Sequence, residues 1–345
     1  MVSHYLRSLV FSGAVRALAN PLARRAFGPL MRDRATIFML HRVANRSAGI
    51  EGHSAEQVRT AITALRESGA NLISLRELVE RWRARAAVAN CVAFTIDDGF
   101  ADQATLVRDV FTPLECPVTI FAISGFLDGD IWPWDDQLAF AFQHTTVPHA
   151  TLSVGDQRLS VEIPNRERRL EQLERVRNLC KVIPNDQIYD VVKKISYALH
   201  VDIPTAAPPE HRAMTWDEAR ALESEGADIG PHSVSHRIFS RLKNEDAQRE
   251  LRVSWNRLQK ELRNPLPIFA WPTGRHIDFG EKDILLAKDL GMRACVATDD
   301  DYAHLRPNSD ETDFFRLKRF SLPFDTIGVL RYGSWLERGR QLLPL

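Results

Sequence analysis

The chain has 345 residues, enough for one large core or two ordinary ones. Its 45 lysines and arginines balance 45 aspartates and glutamates, so no global charge draws it to nucleic acid. No run approaches the roughly 18 apolar residues needed to span a bilayer, and four scattered cysteines without a C-x-x-C pair leave thiol metal sites and redox motifs unsupported.

Residues 1–35 form a segment of their own. Arg7, Arg16, Arg24, Arg25 and Arg32 precede the first acid and alternate with Leu6, Leu9, Val10, Phe11, Val15, Leu18, Leu22 and Phe27. Arg16 interrupts the apolar centre that a secretory signal needs. Two readings remain: a basic amphipathic segment lying on an anionic membrane face, or a helix packed on the domain's own surface.

From residue 36 onward, strand-like and helix-like stretches alternate, which predicts α/β architecture with a mostly parallel sheet. Thr36–Leu40 reads as the first strand. The sequence Ser54-Ala-Glu-Gln57 is a capping box that opens a helix carrying Val58, Ile62 and Leu65 on one face. Leu72–Leu75 reads as a short strand, and Ser74 through Glu77 starts the next helix. Val92–Ile96 and Pro117–Ile123 follow as strands. From about residue 128 to 213 the rhythm fails, in a stretch holding Trp132-Pro-Trp134-Asp-Asp136, a hairpin-like piece at Leu152–Ile163 and a charged helical run from Asn165. An insertion explains this stretch, because strand and helix signals resume after it.

Thr215-Trp-Asp-Glu218 caps a further helix, and Ala227–Gly230 leads into His232-Ser-Val-Ser-His236. Ala247, Leu251, Leu258 and Leu262 mark a long amphipathic helix. Ile268–Trp271, Ala294–Thr298 and Phe315–Phe320 complete the strands. Seven or eight such units suggest a closed or nearly closed barrel over residues 36–325, with 326–345 as a C-terminal tail.

The chemistry concentrates at strand mouths. Phe94-Thr-Ile-Asp97-Asp98-Gly99 runs β-favouring residues straight into two acids and a glycine. Asp98, His232 and His236 are candidate metal ligands, since one carboxylate and two imidazoles with a place left for water recur at catalytic zinc. Asp97 is then placed to take a proton from attacking water.

These motifs together resemble those of the polysaccharide deacetylases, carbohydrate esterase family four. Thr95–Gly99 matches the first motif, His232–His236 the second, and Phe269-Ala-Trp-Pro-Thr-Gly274 the third in the branch that writes it F-A-Y-P-x-G. Met39-Leu-His-Arg-Val43 and Met214–Glu218 also match that branch, and the likeness spans residues 36 to 325.

The resemblance implies a distorted (β/α)7-type barrel with a helical insertion that removes N-acetyl groups from glycans with a divalent metal, commonly zinc. Asp97 becomes the general base, Asp98, His232 and His236 the metal ligands, and the N–H groups near Gly99 and Phe100 help hold an oxyanion. Two positions depart from the pattern. Ala270 stands where an arginine often braces the base, with Arg319 either reaching in instead or lying on the surface. No late leucine-x-histidine supplies the acid, which leaves His41 as acid or as a structural histidine. Trp271, Pro272, Gly274 and Trp134 are candidate substrate contacts, with core packing or loop shaping as the alternatives. His144, His276 and His304 read as surface residues.

The reading is a carbohydrate N-deacetylase acting on a cell-surface polysaccharide or its lipid-linked precursor. It is expected in the cytoplasm or at the inner face of the plasma membrane, with peripheral membrane association. An O-deacetylase and a non-catalytic glycan- or metal-binding barrel are the alternatives.

Overall fold

The computed structural model describes residues 12–305 and 309–343. Arg7, Leu6, Leu9, Val10 and Phe11 of the basic segment lie outside them.

The central strands are β1 (Arg34–Leu40), β2 (Asn71–Leu72), β3 (Cys91–Asp98) and β4 (Val118–Ala122). Every residue of β3 and β4 is buried, as in a parallel sheet covered on both faces. An antiparallel hairpin of β5 (His149–Val154) and β6 (Gln157–Glu162) follows. The remaining strands are β7 (Asp228–Pro231), β8 (Ile268–Ala270), β9 (Ala294–Val296), β10 (Ala303–His304) and β11 (Phe320–Ser321).

Parallel pairing runs β11-β1-β3-β4-β7, and β8 pairs with β9 in parallel. Two seams close the ring. Leu266 N–H donates to Ile229 O at 2.7 Å where β8 approaches β7. Leu317, just ahead of β11, bridges Val296 of β9 in parallel. The result is the expected distorted (β/α)7 barrel, its β7–β8 seam narrow and irregular. All seven strands point their C-terminal ends at one mouth.

Local chemistry explains the helices between them. Both capping boxes form: Gln57 N–H bonds Ser54 Oγ at 3.2 Å while Ser54 N–H bonds Gln57 Oε1 at 2.9 Å, and Thr215 and Glu218 do the same. Ser74 caps the helix Leu75–Arg83, so the strand expected through Leu75 stops at Leu72. A 3₁₀ turn at Glu311–Arg316 likewise shortens the strand expected over 315–320.

The insertion contains the helices Trp134–His144, Arg166–Cys180 and Ile188–Ala198 around the hairpin. Leu138, Phe142, Leu152, Val161, Val176 and Ile195 form its core, which is continuous with Phe100, Ile123 and Phe126 of the barrel.

The basic segment divides by face. Residues 12–18 and Pro21–Phe27 are helical, and Val15 and Ala19 pack with Leu330. Arg24 is buried and donates to Ser68 Oγ at 2.8 Å and Gly333 O at 2.7 Å. Leu18, Leu22 and Phe27 stay exposed. The helix Thr326–Tyr332 packs on Ala55–Glu67, so the barrel's helical layer continues beyond residue 325 into the stretch expected as a tail. No helix among the described residues is long and apolar enough to cross a membrane.

Candidate metal centre and catalytic mouth

Asp97 and Asp98 end β3, and strand alternation sends their side chains different ways. Asp98 adopts φ +88°, a left-handed conformation tolerated by aspartate better than by most residues. It therefore turns out of the strand toward the loop after β7.

That loop carries both histidines. The four-residue spacing of His232 and His236 is compatible with a helix, yet the segment is irregular, with Ser233 at φ +68° and His236 at φ +54°. Glu250 holds it by accepting from Val234 N–H at 2.9 Å and Ser235 N–H at 2.8 Å, and it also binds Ser235 Oγ. His232 Nδ1 lies 2.8 Å from Ala270 O, a carbonyl that can only accept, so that nitrogen carries the proton. Its Nε2 is left facing Asp98 Oδ1 at 3.5 Å, and His236 Nε2 faces the same oxygen at 3.6 Å.

One ligand atom from each of Asp98, His232 and His236 lies within 4.8 Å of the others, and all three residues are buried. Asp98 Oδ1 is buried without a hydrogen-bond partner. An orphaned carboxylate oxygen between two imidazole nitrogens is the donor set a divalent cation satisfies, so the residues fit a metal. Burial raises the Asp98 carboxyl, but the close approach of His232 and the His236 and His41 charges outweigh it and hold it low.

Beside this cluster, Arg319 is fully buried and grips Asp97 with two hydrogen bonds of 2.7 Å. It also donates to Ala297 O at 2.9 Å and Thr95 Oγ1 at 3.0 Å. Arg319 thus reaches Asp97 from the segment before β11, while Ala270 on β8 contributes no side-chain charge. Burial pushes the Asp97 carboxyl up, but Arg319 and the His232 charge outweigh it and hold it at about 2.

His41, just past β1, is 45% exposed with Nε2 3.9 Å from Asp97 Oδ2. Gln103 ties the two strand ends together by donating to His41 O at 2.6 Å and Asp97 O at 2.5 Å. Its Oε1 accepts the Gly99 N–H at 3.1 Å, so that N–H is committed and the oxyanion role expected near Gly99 does not extend to it. Sequence reading missed Gln103, which has no motif of its own.

Residues 185–295 match the family model described as polysaccharide deacetylase. The matched stretch includes His232, His236 and Phe269–Gly274, while Asp97 and Asp98 precede it. No curated protein matches the sequence. Among solved structures, a Streptococcus pyogenes deacetylase, PplD, in complex with acetate aligns with TM-score 0.56 at 13% identity, covering 88% of this chain and 99% of that one. IcaB from Ammonifex degensii aligns at 0.54 and 13%, covering 87% and 97%. A de-N-acetylase from Aggregatibacter actinomycetemcomitans aligns at 0.52 and 15%, covering 86% and 100%. At these identities the likeness is one of fold.

Within this barrel, the candidate substrate contacts need correction. Trp271 is 1% exposed, stacks on Phe279 with ring centroids 4.7 Å apart, and donates to Phe315 O at 3.0 Å. Trp134 is fully buried and donates to His236 O at 3.1 Å, and Trp132 is buried beside Phe140. Each indole buries a large apolar surface, and Trp271 and Trp134 also place their one polar atom on a carbonyl, so none offers a face to sugar. Pro272 and Gly274 are buried and shape the loop: Gly274 N–H donates to Pro272 O at 2.6 Å, and Gly274 sits at φ +68°.

Among the other candidates, His276 is exposed and pairs with Asp299 at 2.8 Å. His144 is exposed and stacks on Phe140, and His304 approaches Arg34 at 3.4 Å. None joins the cluster. Asp135, read only as one acid of the insertion, does join it, with Oδ1 3.5 Å from His236 Nδ1. Burial lowers the His236 imidazole, but Asp135 and then Asp98 outweigh it and push it up to about 9.

Proposed function

We propose that this chain is a polysaccharide deacetylase, a metal-dependent hydrolase that removes N-acetyl groups from acetamido sugars of a cell-surface polysaccharide or its lipid-linked precursor. The observation that carries the reading is the convergence of Asp98, His232 and His236 next to an arginine-braced Asp97 at one barrel mouth. The N-acetyl preference is supported by the structural neighbour described as a de-N-acetylase.

Asp98, His232 and His236 would hold a divalent cation, zinc by preference, which would supply Lewis acidity toward an acetyl carbonyl and acidify nearby water. Asp97 accepts the proton that the attacking water gives up. Arg319 keeps that carboxylate ionised and fixes both its oxygens, so the acceptor does not rotate between turnovers. His41 donates a proton to the leaving nitrogen as the C–N bond breaks, which yields acetate and a sugar amine. Its exposure at the mouth suits a group that must meet a polymer and be reprotonated by solvent.

We assign its action to the cytoplasm or the inner face of the plasma membrane. Exposed Leu18, Leu22 and Phe27, flanked by exposed Arg16 and Arg25, support peripheral contact with anionic lipid. A chain lacking residues 1–32 that still floats with anionic vesicles overturns that placement.

The deciding assay measures acetate released with added zinc, by the natural chain and by Asp97→Asn, from acetamido and acetyl-ester sugars. Release from acetamido sugars by the natural chain alone supports the N-deacetylase. Release from esters alone makes it an O-deacetylase. Silence from both proteins with zinc still bound makes it a binding barrel.

A further inference from the structure

We infer that Asp135, carried by the insertion, is a positioning residue for the imidazole of His236, so that the insertion completes the metal centre. This rests on the reading that Asp98, His232 and His236 hold a cation. Asp135 Oδ1 and His236 Nδ1 face each other at 3.5 Å; both atoms are buried and neither has a hydrogen-bond partner. The Asp135 side chain is 30% exposed as a whole, yet the oxygen turned to the ring is shielded. The opposite ring nitrogen, Nε2, points at Asp98.

A ligating histidine that gives its second N–H to a carboxylate has its tautomer and ring angle fixed and becomes a stronger donor to metal. His232 receives this support from the barrel, through Ala270 O at 2.8 Å. His236 receives it from outside the barrel, through the first turn of the helix Trp134–His144. The neighbouring acid is otherwise engaged, because Asp136 bonds Arg42 at 3.2 Å.

The same insertion fixes the main chain on either side of the ring. Trp134 Nε1 donates to His236 O at 3.1 Å, Tyr189 Oη to Ser235 O at 2.9 Å, and Ile238 N–H donates to Asn185 Oδ1 at 2.9 Å. His236 sits at φ +54°, where an imidazole-bearing residue needs such outside support. Backbone and ring are thus held by one structural piece.

The test titrates the full chain with zinc against a competing chelator. It also records the visible spectrum of the cobalt-loaded protein, which reports ligand geometry. Asp135→Asn, close to isosteric, is expected to weaken zinc binding by about 10–100-fold and to alter the cobalt spectrum. Asp135→Glu returns a carboxylate and recovers most of the loss, while Asp136→Asn changes little. Unchanged zinc affinity and cobalt spectrum in Asp135→Asn overturn the inference, as does a glutamate variant as weak as the asparagine one. Asp98→Ala separates the two levels. If it abolishes binding while Asp135→Asn binds normally, only this inference fails; a natural chain that binds no zinc removes the metal reading as well.

Discussion

Arg319 and Asp97 stand 222 positions apart in the chain and meet in a two-pronged, fully buried ion pair. Breaking one side leaves an uncompensated charge in the interior. Arg319→Ala is therefore expected to cost about 3–5 kcal/mol of stability, measured by urea unfolding. Arg319→Lys keeps the charge but offers a point contact in place of a fork. That variant should fold and lose about 10²-fold in acetate release through misplacement of the carboxylate, read as a fall in kcat with KM little changed.

The same pair sets an acid limit. Asp97 is held at about 2, below its ordinary value of 3.8, because Arg319 outweighs the burial penalty. A carboxyl lowered on folding stabilises the protein fully above its unfolded pKa, and that contribution disappears as pH falls from about 4 through about 2. Urea unfolding from pH 6 to pH 2 should show a steeper loss for the natural chain than for Asp97→Asn. Parallel curves would mean that the pair contributes nothing to acid stability.

His41 is assigned proton donation on position alone, at the mouth and 3.9 Å from Asp97. Because the side chain is half open to solvent, His41→Gln should leave zinc affinity and the melting temperature unchanged. Acetate release should fall by about 10²–10⁴-fold, the usual contribution of a positioned acid. Full activity in that variant would remove His41 from the mechanism.

Trp271 packs as core, between Phe239, Phe269 and Phe279. Trp271→Ala should cost about 3–5 kcal/mol, seen as a lowered melting temperature. Trp271→Phe keeps most of the packing and should leave KM for glycan unchanged. A selective rise in KM in the phenylalanine variant would return this residue to the substrate site.

What could be read from the sequence was local. The run Phe94–Asp98 into Gly99 marks a buried strand ending in acids, and Ser54/Gln57 and Thr215/Glu218 state where helices begin, because a cap and its partner lie within one turn. The burial of Trp134 and Trp271 was not legible, since an indole in a motif looks the same whether it faces sugar or core. Asp135 gave no signal either, because its meaning depends on where the detour over residues 128–213 happens to return. Arg319 stood between both cases: its residue type fitted the need, but only the closure of β11 against β9 and β1 carries it inward.

That detour has a practical corollary for anyone seeking a minimal catalyst. Splicing Leu127 directly to Ala213 would bare Phe100, Ile123 and Phe126 to water and strip His236 of Trp134 and Asp135 at one stroke. A pared-down scaffold of this kind would keep its strands and lose the support around His236.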